Sequence, residues 1–116
     1  RKATAERAEV EGLVGLANRD LAKGRYMSAL RRADEALAVN PNNADAFSVR
    51  GAAYWRAGDF RKSTEAFEKA LELDATNFGA IEGLGRNLQA SGDHARAISL
   101  QNTLIAKEAE GFVQTA

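Results

Sequence analysis

The side chains best suited to chemistry in this chain are few: one histidine, His94, no cysteine, and sixteen carboxylates balanced by sixteen lysines and arginines. An imidazole suits a general base or a metal ligand. No second histidine or thiol is present to complete a catalytic dyad or a transition-metal site. Glu65, Glu68 and Glu72 recur at helical spacing with Lys62 and Lys69 among them. That is the pattern of a solvated helix face with i,i+3 and i,i+4 ion pairs. Gly79, Gly83 and Gly85 follow no strand, so they do not form a phosphate-binding loop. Basic pairs such as Arg31 and Arg32 lack interleaved aromatics, and the balanced charge gives no field for nucleic acid. No enzyme, cofactor or metal centre is expected.

The elements that must position any functional group are helices. Of 116 residues, 45% are hydrophobic and 28% charged, with a single proline, enough apolar surface for a folded domain. Alanine and leucine dominate and β-branched residues are sparse, which favours an all-α class. No apolar run approaches the roughly 20 residues of a membrane-spanning helix, so no direct membrane insertion is expected. A soluble chain without cysteine suits a bacterial cytoplasm or periplasm equally, and the alanine-rich, arginine-over-lysine composition carries only a compositional hint of a bacterial source.

A fixed period organises these helices. Gly24, Gly58 and Gly92 stand 34 residues apart. Small residues recur in phase as Ala17, Gly51 and Gly85, and as Ala29, Ser63 and Ala97. Large ones recur as Leu13, Phe47 and Ile81, and as Leu37, Leu71 and Ile105. Small positions let paired helices approach and large ones fill between them. The units span 10–43, 44–77 and 78–111, preceded by an extension of the first helix over 1–9. Two amphipathic stretches flank each glycine, and Asn40-Pro41-Asn42-Asn43 and Asp74-Ala75-Thr76-Asn77 form inter-unit turns. Helices are predicted over 4–23, 26–39, 44–57, 60–73, 78–91 and 94–108. The glycines of the third unit predict that its first helix frays easily.

The middle unit carries Phe47, Gly51, Tyr54, Gly58, Phe60, Phe67, Ala70 and Leu71 in one period. In this it resembles the tetratricopeptide repeat family, and the resemblance covers about nine-tenths of the chain. Arg50 stands where the pattern has leucine, Asp20 where it has an aromatic, and Gln101 where it has phenylalanine. The resemblance implies a right-handed α-solenoid whose first helices line a concave groove for a protein or peptide partner. The groove residues would be Glu11, Val14, Asn18, Leu21 and Ala22; Asp45, Ser48, Ala52, Trp55 and Arg56; and Gly79, Glu82, Arg86, Gln89 and Ala90.

Among these, Trp55 with Arg56 and Arg86 has the composition of a binding anchor, and Asn18 can hydrogen-bond to an extended backbone. The plainer alternative packs Trp55 on a neighbouring helix and pairs the arginines with Asp45 or Glu82. One subgroup of the family binds chaperone C-terminal carboxylates through a clamp. The matching positions here are Val14, Asn18, Val49, Gly79 and Gly83, and only Asn18 agrees. His94 falls at the position of Tyr26 and Phe60, which predicts a ring packed at the turn between paired helices.

The last unit of a solenoid exposes an apolar face unless something covers it. Residues 112–116 either open a capping helix or truncated fourth unit, or continue the last helix. Some of Ile98, Leu100, Leu104 and Ile105 are then expected to form a possible assembly face for a homo-oligomer. Excision from a longer protein is the favoured explanation, since the chain starts without Met. The leading function is a non-catalytic interaction scaffold. The alternatives are a self-assembling component of a bacterial secretion, pilus or organelle complex, and the repeat arm of a larger enzyme.

Overall fold

The computed structural model describes residues 2–115, which form six helices: α1 (Lys2–Ala22), α2 (Tyr26–Val39), α3 (Ala44–Ala57), α4 (Phe60–Leu73), α5 (Phe78–Ala90) and α6 (His94–Thr115). Inner boundaries fall where the turn chemistry puts them. Gly24, Gly58 and Gly92 take positive φ values of 77°, 85° and 89°, left-handed geometry that a side chain resists. Asn43, Asp59 and Asn77 accept the backbone N–H of Ala46, Lys62 and Ala80 at 2.8, 3.1 and 3.0 Å, capping α3, α4 and α5. The last helix differs from its expected end at 108 and runs unbroken to Thr115. Residues 112–115 belong to α6.

Each helix packs against its successor, and α1 also meets α3 as α3 meets α5. The backbones of α2 and α4, and of α4 and α6, do not approach in the same way. The first helices thus form an inner layer and the second helices an outer one. Alanines at the contacts make this tight stacking possible: Ala17, Ala29, Ala33, Ala36, Ala46, Ala70, Ala80 and Ala97 are all fully buried. One apolar cluster joins α1, α2 and α3 around Val10, Val14 and Val49. A second joins α4, α5 and α6 around Phe67, Leu84 and Leu88.

Phe67 is the seam between units. A Cβ on Gly51 would come within 2.6 Å of its ring and one on Gly83 within 2.3 Å, so the aromatic fits only because both flanking helices offer glycine. The three glycines expected to make α5 fray differ in what stands opposite them, and Gly85 has nothing within 4 Å. Gly83 receives Phe67 and Gly79 faces Ser48, while Ala80, Ile81, Leu84 and Leu88 are buried. A polar chain crosses the same seam: Asn87 Nδ2 donates to Ser63 Oγ at 2.9 Å, and Ser63 Oγ donates to the Gly51 carbonyl at 2.8 Å.

Two departures from the repeat pattern, Asp20 and Arg50, come as ion pairs between helices. Asp20, nearly buried, accepts from Arg32 Nε at 2.8 Å, tying α1 to α2. Arg50 pairs with Asp34 across α2 and α3 and lies over the Tyr54 ring. His94 is exposed, as are its counterparts Tyr26 and Phe60. The expected packed ring is thus corrected: the position lies at the rim of the turn, outside both clusters. Among the described residues, no helix is long and apolar enough to cross a membrane, and no group of three or more histidine, aspartate and glutamate side chains forms a metal site.

Candidate partner-binding groove

A groove of about 490 Å³ runs across α1, α3 and α5 on the inner layer. Period-34 phasing is what aligns its walls. Val14, Asn18 and Leu21 come from α1; Asp45, Ser48 and Ala52 from α3; Gly79, Glu82 and Arg86 from α5. Val49, Phe67, Asn77 and Gly83 complete the lining. Val14 is 9% exposed and acts as wall. Asn18, Asp45, Glu82 and Arg86 are exposed, so the polar groups lie at the surface of a floor built from small and apolar side chains.

Nine of the fifteen expected groove residues in the first helices line this space: Val14, Asn18, Leu21, Asp45, Ser48, Ala52, Gly79, Glu82 and Arg86. Glu11 lines a neighbouring crevice of about 490 Å³ between the N-terminal part of α1 and the α2–α3 turn, which shares Asp45 with the groove. Gln89 belongs to a smaller notch of about 170 Å³ at the far end, with Glu82, Arg86, Ile81, Gly85, Gln101 and Leu104. Trp55 and Arg56 do not line the groove. The Arg86 guanidinium lies 3.9 Å from the centre of the Trp55 ring, a cation–π contact that ties α5 to α3. Arg56 is exposed and makes no ion pair among the described residues.

Sequence reasoning missed Asn77. It reads there as one more turn residue. In the structure it is 8% exposed, donates to Asp45 Oδ1 at 2.9 Å and accepts the Ala80 N–H. One side chain thereby fixes the Asp45 carboxylate and starts α5. The signal available in the sequence was its phase, since Asn43 caps α3 from the equivalent place. Phe67 and Val49, which also line the floor, were absent from the expected set: Phe67 stood only as a residue of the repeat pattern and Val49 only as a clamp position that does not match.

The assembly face divides. Ile98 and Ile105 are 55% and 62% exposed. Leu100 is half-buried against the second core cluster, and Leu104 is half-buried at the wall of the end notch. Ile98 and Ile105 are thus the exposed members of the four.

Helix pairs stacked at this period, with a turn glycine in each and an aromatic seated between glycines, are the architecture of one family, whose tetratricopeptide repeat model matches residues 14–80. The chain belongs to the tetratricopeptide repeat (TPR) family. It is 30% identical over 86 residues to a TPR repeat-containing protein of Rhizobium etli, a match covering 74% of this chain and 42% of that protein. It is 38% identical over 60 residues to heat shock protein STI1 of Saccharomyces cerevisiae, covering 52% of this chain and 10% of that protein. The chain thus spans less than half the length of either relative. The first TPR of Spaghetti (RPAP3), solved bound to the HSP90 peptide SRMEEVD, superposes with a TM-score of 0.81 at 19% identity, covering 93% of this chain and 88% of that one. That likeness is one of fold. The TPR fold of this chain is that of a protein-interaction scaffold.

Proposed function

We propose that the chain holds an extended segment of a partner protein in the groove across α1, α3 and α5. The observation that carries this is the groove itself: three helices present exposed polar groups over a small-residue floor, with Asp45 fixed by Asn77 and Arg86 braced on Trp55. Side chains held in place before a partner arrives lose less freedom on binding. Asn18 and Ser48 supply hydrogen-bonding groups for a backbone.

The groove chemistry disfavours an acidic tail of the kind in the SRMEEVD complex. Of the five clamp positions only Asn18 is polar: Val14 and Val49 are buried, and Gly79 and Gly83 carry no side chain. Asp45 and Glu82 line the space against the single cation Arg86, while Glu11 in the adjoining crevice is paired with Arg7. A neutral or basic segment fits this balance better than an acidic one.

Selection from a displayed library of random peptides tests the reading. Selected peptides should be poor in Asp and Glu, and should lose roughly tenfold or more in affinity, about 1.4 kcal/mol, against Ser48→Trp, which fills the groove. Trp55→Ala and Arg86→Ala should each weaken binding several-fold by releasing the brace. Peptides that bind the filled variant as well as the wild type would sink the groove assignment.

A further inference from the structure

A glycine inside a helix costs roughly 0.5 to 1 kcal/mol relative to alanine, and within this array a close approach accompanies three of them. Gly51 and Gly83 receive Phe67, and Gly79 faces Ser48. Gly12 and Gly15 of α1 have nothing within 4 Å. Both are exposed, and so is Leu16 at 41%. In the repeat phase Gly15 stands where Val49 and Gly83 stand, and Leu16 where Arg50 and Leu84 stand. Those are the positions through which α3 and α5 meet the second helix of the preceding unit. Thus α1 leaves open the face that α3 and α5 cover.

The other end of the molecule is its complement. Leu37 and Leu71 are half-buried beneath the next first helix; their counterpart on α6 is Ile105, which is 62% exposed. Leu30 and Thr64 are likewise half-buried, and their counterpart Ile98 is 55% exposed. Between α5 and α6 lies the notch of about 170 Å³. In the second unit the Phe67 ring fills the corresponding place against Gly51; here Gly85 has nothing within 4 Å and Gln101 is exposed.

The register inside the chain specifies how these ends meet. Asp34 with Arg50, Phe67 with Gly83 and Thr64 with Asn87 share nearly one antiparallel offset. Continued from α6 of one copy to α1 of another, that offset sets Ile105 on Gly12, Gln101 on Gly15 and Ile98 on the aliphatic stem of Arg19. The end helices are also the long ones, 21 residues for α1 and 22 for α6, against 13 or 14 for those between. At this offset their overhangs lie side by side.

The geometry points to end-to-end association, in which α1 of one copy docks on α5 and α6 of the next as the first helix of a continuing array. The contact is heterologous and does not close on itself. It brings Glu11 of one copy to Glu82 of the other, a like-charge meeting that weakens the contact and raises the concentration at which copies associate.

Sedimentation velocity over a concentration series reads this directly. The wild-type chain is expected to grow in mass with concentration, past the dimer. Ile98→Glu/Ile105→Glu blocks the tail, and Gly12→Arg/Gly15→Arg blocks the head. All four positions are exposed, so both variants should keep the wild-type circular dichroism. Each blocked variant alone should stay monomeric, while their equimolar mixture should form a dimer and nothing larger, because it holds one intact head and one intact tail. A wild type that is monomeric at every concentration would overturn the proposal. So would a singly blocked variant that still associates, or a mixture that does not.

Discussion

At the scale of single residues, two of the places where the chain leaves the repeat pattern, Asp20 and Arg50, are where opposite charges have been placed together. Asp20 in place of an aromatic is tolerable at 8% exposure because Arg32 reaches it from α2. Removing the cation strands a carboxylate in a nearly closed position. Arg32 is about a third exposed, 35% by side chain, so solvent moderates the loss. Arg32→Met is expected to lower stability by about 1 to 2 kcal/mol, read by urea unfolding. Asp20→Asn/Arg32→Met, which removes both charges, should recover part of it; a double variant no better than Arg32→Met would contradict the pairing. A second carboxylate, Asp74, accepts from the Thr76 hydroxyl at 2.7 Å and from its backbone N–H at 3.0 Å. These bonds, the hydroxyl first, hold its pKa below the ordinary value. A depressed folded pKa adds stability that is present above the unfolded pKa and is lost as pH falls through the folded one. Thr76→Val should move the Asp74 carboxyl titration up toward its ordinary value in NMR, while the other carboxylates stay in place.

At the scale of elements, the helices were legible because glycine, proline and asparagine punctuate a strong period. Turns at Gly24, Gly58 and Gly92 need left-handed backbone, and only local chemistry is required to see it. Whether a given interior glycine weakens its helix depends on what stands opposite, and that is a tertiary fact. Gly83 lies under Phe67 while Gly85, two residues on, has nothing within 4 Å. The two should respond with opposite signs. Gly85→Ala is expected to stabilise by about 0.5 to 1 kcal/mol through helix propensity alone. Gly83→Ala should destabilise by about 1 to 3 kcal/mol, since its Cβ would overlap the ring. Thermal unfolding of the two variants separates them, and a stabilising Gly83→Ala would show that the seam is slack. The groove was legible to the same depth: phase placed Val14, Ser48 and Arg86 on one wall, but not the turning of Arg86 onto Trp55 or the use of Asn77 to fix Asp45. Those depend on side-chain reach across neighbouring units, which a period does not encode.

At the scale of the whole molecule, extents of 40 × 40 × 24 Å and a radius of gyration of 14.8 Å describe a body more open than the roughly 13 Å of a compact domain this size. Nothing but neighbouring elements holds it together. Helices α1 and α2 do not approach α5 or α6, and the two apolar clusters share no residue. In such a stack, stability is close to a sum of units and interfaces, so one interface can be weakened without melting the rest. Phe67 is the residue to remove, because its ring meets both glycines at the α3–α4–α5 seam. Phe67→Ala deletes a fully buried ring, a change that costs about 3 to 5 kcal/mol in a core. The loss should not spread evenly: amide exchange is expected to accelerate strongly across α5 and the adjoining part of α6, while α1 and α2, packed around Val10 and Val14, keep most of their protection. Uniform acceleration from α1 to α6 would mean that the chain unfolds as a single cooperative block, with coupling between units stronger than the intrinsic stability of any one of them.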